Sequence, residues 1–343
     1  RVGHEAVEDA EDRARADDLR AVLEDEPGHG PLPEAQLLVE GVDDGEEVDA
    51  LVGEALQLER ALDRGARVRA GHDVELQPVG HRDEHTSRAM LLVVDVGNTQ
   101  THFGTYDGDQ LVEHWRFATV RTSTADELGA VLRNLLELRG LGLADLDGSI
   151  VSSTVPQLRP EWRAVGQRYL RHETLVVGPG IRSGMALRYD NPREIGPDRL
   201  VNAVAAYEKV GGPCICVDFG TAITYDPVSA DGEYLGGIIF PGVEISMEAL
   251  TERAAALPKI ELHEPRTLIG KTTVDAIRSG IVYGFAGTVD AIVRRLRAEI
   301  GEDAPTIATG GLAPAIVPFT ETIDELDELL TLRGLRILWE RNR

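Results

Sequence analysis

From residue 90 onward, apolar residues fall into short dense blocks separated by longer runs in which they recur every three or four positions. The blocks are "LLVVDVG" (91–97), "GSIVSSTVP" (148–156), "TLVVGPG" (174–180), "CICVDFG" (214–220), "LGGIIFPG" (235–242) and "PTIATGG" (305–311). Val and Ile dominate them and Gly or Pro closes them, which predicts buried strands. Helical spacing occupies "TADELGAVLRNLLELRG" (124–140), "PDRLVNAVAAYEKVGG" (197–212), "VEISMEALTERAAALP" (243–258) and "TVDAIRSGIVYGFAGTVDAIVRRLRAEIG" (273–301). Strands alternating with helices predict an α/β protein with mainly parallel sheets.

Residues 1–89 follow a different pattern. Up to residue 88 there is no Ile, Phe, Tyr, Trp, Lys, Asn, Cys or Met, and 24 acids stand against ten arginines. Without large apolar side chains such a segment buries little surface against its chain entropy, and it reads as a low-complexity acidic extension. A marginal amphipathic helix is predicted near Val48–Leu62. Met90 is the first methionine of the 343-residue chain and directly precedes the first strand. Translation is therefore expected to start there, with a genuine acidic tail as the alternative. His4, His29, His72, His81 and His85 are too irregularly spaced for a metal site.

Composition narrows the function classes. The net charge of -24 argues against nucleic acid as a partner, because binding phosphate backbones needs a basic face. No apolar run approaches the roughly 20 residues that span a bilayer, and no basic-then-apolar leader pattern is present, so a cytoplasmic location is expected. Cys214 and Cys216 sit among apolar residues and read as buried strand thiols, not as a disulfide or zinc pair.

The chemistry begins where the first strand runs into polar residues. "MLLVVDVGNTQTHFGTYDG" (90–108) passes from an apolar strand through Asp95, Val96, Gly97, Asn98 and Thr99 into a second strand. "CICVDFGTAITYDPV" (214–228) repeats the pattern with Asp218, Gly220 and Thr221. One such turn is an ordinary hairpin. Two copies at matching places imply duplicated lobes whose first hairpins face each other across a cleft. Glycine lets backbone approach phosphate oxygens, while Asn98, Thr99 and Thr221 donate hydrogen bonds without adding charge. Asp95 and Asp218 would repel a triphosphate unless a cation lies between them, and magnesium suits that place.

A third glycine-rich turn, "TIATGGLAPAI" (306–316), offers bare backbone to an adenine or ribose, or is simply a strand-to-helix turn. "IGKTT" (269–273) resembles the end of a phosphate-binding P-loop. Pro265 stands where that loop needs glycine, and the P-loop reading is rejected.

Together with "DNPREIGPDRLVNAVAA", "GGIIFPG" and "LTLRGLRILWERN", these motifs resemble the actin, sugar kinase and Hsp70 ATPase superfamily, and within it type III pantothenate kinase. The resemblance covers residues 90–343. It implies two RNase H-like lobes, 90–207 and 208–343, with ATP between them. It implies that Asp95, Val96, Gly97, Asn98, Thr99, Gln100, Thr101 and His102 form the first phosphate loop, with Thr221 contacting ATP. It makes Asp218 the ligand of a monovalent cation (potassium or ammonium) beside the magnesium. Pantothenate would be held by Tyr189, Gly196, Pro197, Asp198, Arg199 and Thr273, with Asp198 the catalytic base, in a homodimer whose pocket lies near the subunit interface. Alanine is common in the family where Pro197 stands; proline is tolerated in a first helical turn.

Taken alone, an acid opening a helix is often only a capping or dipole residue. Near a substrate alcohol, the carboxylate of Asp198 is also a reasonable proton acceptor. Arg199 reads either as a surface ion-pair partner or as an anchor for a substrate carboxylate. A kinase for another alcohol or acid, or a non-catalytic transcription accessory factor, remain the other readings. The presence of Asp95, Asp198 and Asp218 together favours the enzyme.

Overall fold

The computed structural model describes residues 90–254, 257–301 and 303–343. The acidic extension, its Val48–Leu62 helix and its histidines lie outside these residues. The predicted α/β alternation is present as two sheets, but both are mixed and not mainly parallel, because each contains a hairpin whose strands run antiparallel.

The first sheet has the order β3-β2-β1-β4-β5, built from β1 (Met90–Val96), β2 (Gln100–Asp107), β3 (Gln110–Ala118), β4 (Leu146–Ser153) and β5 (Leu175–Val176). β1 runs antiparallel to β2 and parallel to β4. Its residues are apolar on both faces because both faces are covered. Leu92, Val94 and Val96 pack with Leu128 and Leu132 of α1 (Ala125–Glu137) and Trp162 of α2 (Leu158–Val165). Leu91 and Val93 pack on the opposite side with helices from later in the chain.

The second sheet has the order β12-β11-β7-β8-β9-β6. Its strands are β6 (Ala186–Leu187), β7 (Cys214–Phe219), β8 (Ala222–Val228), β9 (Glu233–Tyr234), β11 (Thr306–Thr309) and β12 (Glu325–Leu326), with β10 (Ile238–Pro241) paired to β8. β7 repeats the first-sheet arrangement, antiparallel to the following strand β8 and parallel to β11. Cys214 and Cys216 are buried free thiols in β7, as expected, and burial pushes the Cys214 thiol up to about 12.

The helix α3 (Pro197–Val210) lies against both sheets. Leu200, Val201 and Val204 join the cluster under β1, whereas Ala203, Ala205 and Ala206 join the cluster under β7. This explains a run from Arg199 to Ala206 that is buried at every position, with small alanines on the side facing β7. The last helix, α7 (Leu330–Asn342), returns to the first sheet and packs on α3, β1 and β4.

On the far face of the second sheet lie α4 (Val243–Arg253) and the long α5 (Thr273–Ile300), followed by the short α6 (Ala313–Ile316). By length and hydropathy α5 would suffice to cross a membrane. Here it is a core helix, with Val282, Phe285, Val289 and Val293 packed against the sheet. Residues 257–272, which include most of "IGKTT", contain no strand, consistent with the rejected P-loop.

Candidate active site

The two hairpins meet at their tips. β1 turns into β2 through a bond from the Gly97 amide to the Gln100 carbonyl, 3.0 Å, and β7 turns into β8 through Gly220 to Ala222, 3.1 Å. Thr99 Oγ1 and Thr221 Oγ1 lie 3.2 Å apart. Asn98, Thr99 and Gln100 are exposed at this junction. Asn98 is fixed from two sides: its amide donates to Thr154 Oγ1, and Arg121 donates to its Oδ1. Val96 and Thr101 alternate inward, and the Thr101 hydroxyl is paired with Thr119 at 2.9 Å. The side chains of Val96 and Thr101 are therefore turned away from the junction.

Below the tips, three carboxylates converge. Asp95 and Asp218 are the penultimate residues of β1 and β7, and Asp198 lies in the first turn of α3. Burial, then repulsion from Asp198 and Asp218, pushes the Asp95 carboxyl up to about 8. Burial and Asp198 push Asp218 up to about 7, against the stabilising amide of Asn202, which donates to Asp218 Oδ2 at 2.9 Å. Thr331 of α7 donates to Asn202 Oδ1 at 2.7 Å, which fixes the orientation of that amide. Burial also raises Asp198, while the Arg199 backbone amide and guanidinium hold it down. The Asp198 carboxylate curls back over the helix N-terminus into room that Gly196 leaves. A Cβ at residue 196 would stand 2.5 Å from Asp198 Oδ1. Pro197 is the first residue of the helix, where its missing N–H costs nothing.

Arg199 turns away from solvent. It forms a buried pair with Asp226 of β8, Nε to Oδ1 at 2.9 Å and Nη2 to Oδ1 at 2.8 Å. Asp226 also accepts from Tyr234 Oη at 2.7 Å and Thr224 Oγ1 at 3.0 Å. Burial still pushes it up to about 6 against the pull of Arg199. Tyr189 closes the group, its ring 6.3 Å from that of Tyr234 and against the backbone of Gly236. Tyr189, Gly196, Pro197, Asp198 and Arg199 thus form one neighbourhood. Thr273 is elsewhere: it starts α5 and lines a groove with Leu250, Ala276 and Ile281, none of them part of the acid cluster.

His102 pairs with His114, Nε2 to Nδ1 at 3.1 Å. Burial, then Arg116 and His114, push it down to about 3, so it is neutral at physiological pH. Asn202, Thr331 and Asp226 were not singled out from the sequence. The available signal was a polar residue inside an apolar run, "LVNAVAA" and "AITYDPV", which does not reveal the partner.

Known proteins similar to this chain in sequence fall in one family. The family model for type III pantothenate kinase matches residues 91–295. The chain is 51% identical over 253 residues to the type III pantothenate kinase of Moorella thermoacetica, covering 74% of this chain and 100% of that protein. It is 52% identical over 261 residues to that of Streptomyces avermitilis, covering 74% and 98%. Among solved structures, the ethanolamine utilization protein EutJ from Carboxydothermus hydrogenoformans matches with TM-score 0.46 and 15% identity over 73% of this chain and 89% of that one. The inorganic polyphosphate/ATP-glucomannokinase from Arthrobacter sp. strain KM matches with TM-score 0.40 and 15% identity over 73% and 97%. The full-length matches at half identity, laid over paired hairpins and a shared acid cluster, place the chain in the type III pantothenate kinase family.

Proposed function

We propose that this chain transfers the terminal phosphoryl group of ATP to the primary hydroxyl of pantothenate, giving ADP and 4'-phosphopantothenate in the first step of coenzyme A biosynthesis. The observation that carries this reading is the match, at about half identity, to relatives of that name over their whole length. The lobes 90–207 and 208–343 hold the nucleotide between them, exchanging β6 and α7 across the division.

Phosphoryl transfer depends mainly on positioning and charge neutralisation. Thr99 and Thr221 donate to phosphate oxygens from opposite sides of the cleft, with Asn98 fixed beside them. Gln100, His102 and the backbone of Val96, Gly97 and Thr101 complete the first loop. Asp198 accepts the proton of the attacking hydroxyl, and its burial makes it a stronger base than an exposed carboxylate. Arg199, held rigid by Asp226, faces the pantothenate carboxylate, with Tyr189 alongside.

The acid cluster fits a metal. Asp95 Oδ1 is shut off from solvent with no hydrogen-bond donor. Magnesium keeps waters and takes substrate phosphates as ligands, so two carboxylates suffice to hold it. Asp95 and Asp218 would hold it, with Asp218 also serving potassium or ammonium. Bound there, these cations neutralise the phosphate charge.

A homodimer completes the arrangement. Ile239, Leu268 and Ile269 are 64%, 67% and 70% exposed, and the groove beside Thr273 is apolar. The adjacent Leu268 and Ile269 and the apolar groove would supply part of its contact surface. The protein works in the cytoplasm, independently of nucleic acid and membrane.

The test is release of ADP from ATP with pantothenate present and absent. Release that depends on pantothenate supports the reading. Release with another alcohol or acid alone would reassign the acceptor, and no release with any acceptor would favour a non-catalytic accessory protein.

A further inference from the structure

Asp95, His102 and Arg116 stand in one row across β1, β2 and β3, since Asp95 pairs with His102 and His102 with Arg116 in the strand register. Directly paired residues share a face, so Arg116 projects on the same side as the first acid of the cleft. The other face at this level is core, where Phe103 stacks on Trp115 with centroids 4.8 Å apart. Arg116 is exposed, and among the described residues no carboxylate forms an ion pair with it.

Its guanidinium reaches the turn that follows β11. A Cβ placed on Gly311 would lie 3.9 Å from Arg116 Nη1. The neighbouring Gly310 has φ +97°, and a Cβ there would lie 2.5 Å from Asp218 Oδ1. The glycine pair after β11 is therefore flanked by Asp218 on one side and Arg116 on the other. Because His102 is neutral, Arg116 supplies the positive charge of the row. A nucleotide entering this cleft meets three converging acids, and a permanent cation at the mouth answers its charge. Arginine suits this because its planar fork matches phosphate oxygens in pairs.

We propose that Arg116 binds the phosphate chain of the nucleotide, spanning from β3 to the Gly310–Gly311 turn when the cleft is filled. This rests on reading the cleft as the nucleotide site and assigns it a residue that neither hairpin motif contains.

The experiment is calorimetric titration of the full chain and of Arg116→Gln and Arg116→Lys, with magnesium and with ADP or adenosine as probe. Arg116→Gln is expected to weaken ADP at least tenfold and leave adenosine within twofold, with Arg116→Lys intermediate. The salt dependence of ADP binding should also be shallower in Arg116→Gln. Unchanged ADP affinity would overturn the proposal. Equal weakening of ADP and adenosine would overturn it too, placing Arg116 against the nucleoside instead. Failure of the unaltered protein to bind either probe would overturn the nucleotide site itself and Arg116 with it, whereas normal nucleotide binding without pantothenate phosphorylation would overturn only the acceptor. Melting curves of both variants check folding, and if Arg116→Gln does not fold, the ADP-to-adenosine ratio of Arg116→Lys decides.

Discussion

Thr99 and Thr221, 122 residues apart in the chain, bring their hydroxyl oxygens within 3.2 Å of each other. Each sits at the tip of a hairpin that belongs to a different sheet, so this contact marks where the two halves of the cleft touch. On the proposed reading, a phosphate group entering here would exchange one hydroxyl–hydroxyl bond for two hydroxyl–phosphate bonds.

Replacing Thr221 with Val should therefore weaken ATP by about tenfold or more, since a hydrogen bond to an anionic phosphate oxygen is worth about 1.5–3 kcal/mol. The KM for pantothenate should remain unchanged. Steady-state kinetics with each substrate varied in turn checks this.

Asp198→Asn should lower kcat by far more than tenfold, while Tm shifts little because asparagine can still accept from the backbone amides of the first turn. Turnover within about tenfold of the parent, roughly 1.4 kcal/mol in the barrier, would remove Asp198 from the role of base.

Asp95 makes stability depend on pH in a defined sense. Its folded pKa, about 8, lies above the ordinary carboxylate value, so the folded protein binds the proton more tightly than the unfolded chain. Its contribution is fully present below about pH 4 and is lost as pH rises through about 8. Asp95→Asn should match the parent near pH 4 and exceed its Tm at pH 8.5. Thermal melts of both proteins across that range, without nucleotide, give the comparison.

Asp226→Ala leaves the buried Arg199 guanidinium without its counter-charge and should destabilise the fold by about 3–5 kcal/mol. Removing both charges, as Arg199→Met with Asp226→Leu, should restore much of that stability while pantothenate still binds poorly. Denaturant unfolding alongside pantothenate titration separates the two effects. Recovery of pantothenate binding in the double variant would show that Arg199 does not anchor the substrate.

The repeated Asp-x-Gly hairpins were legible in the sequence because a strand ending in acid and glycine breaks the local pattern twice in matching places. Asp198 was legible as an acid opening a helix, although its position against Asp95 and Asp218 was not. Arg116 and Asp226 were invisible for a physical reason. Each acts through a cross-strand or inter-sheet neighbour, Gly311 in one case and Arg199 in the other, and strand register is a tertiary property. Thr101 shows the converse: it belongs to the loop by motif, yet strand alternation turns its hydroxyl inward to Thr119.

The placement of α3 between the two sheets has a mechanical consequence. Its side chains are gripped by both hydrophobic clusters, so neither sheet can rotate without dragging the helix. Its leading end carries Asp198 and Arg199, and one turn later Asn202 is tied to Asp218. The helix is thus an axle common to both halves: any displacement of either sheet would carry Asp198, the proposed proton acceptor, along with it.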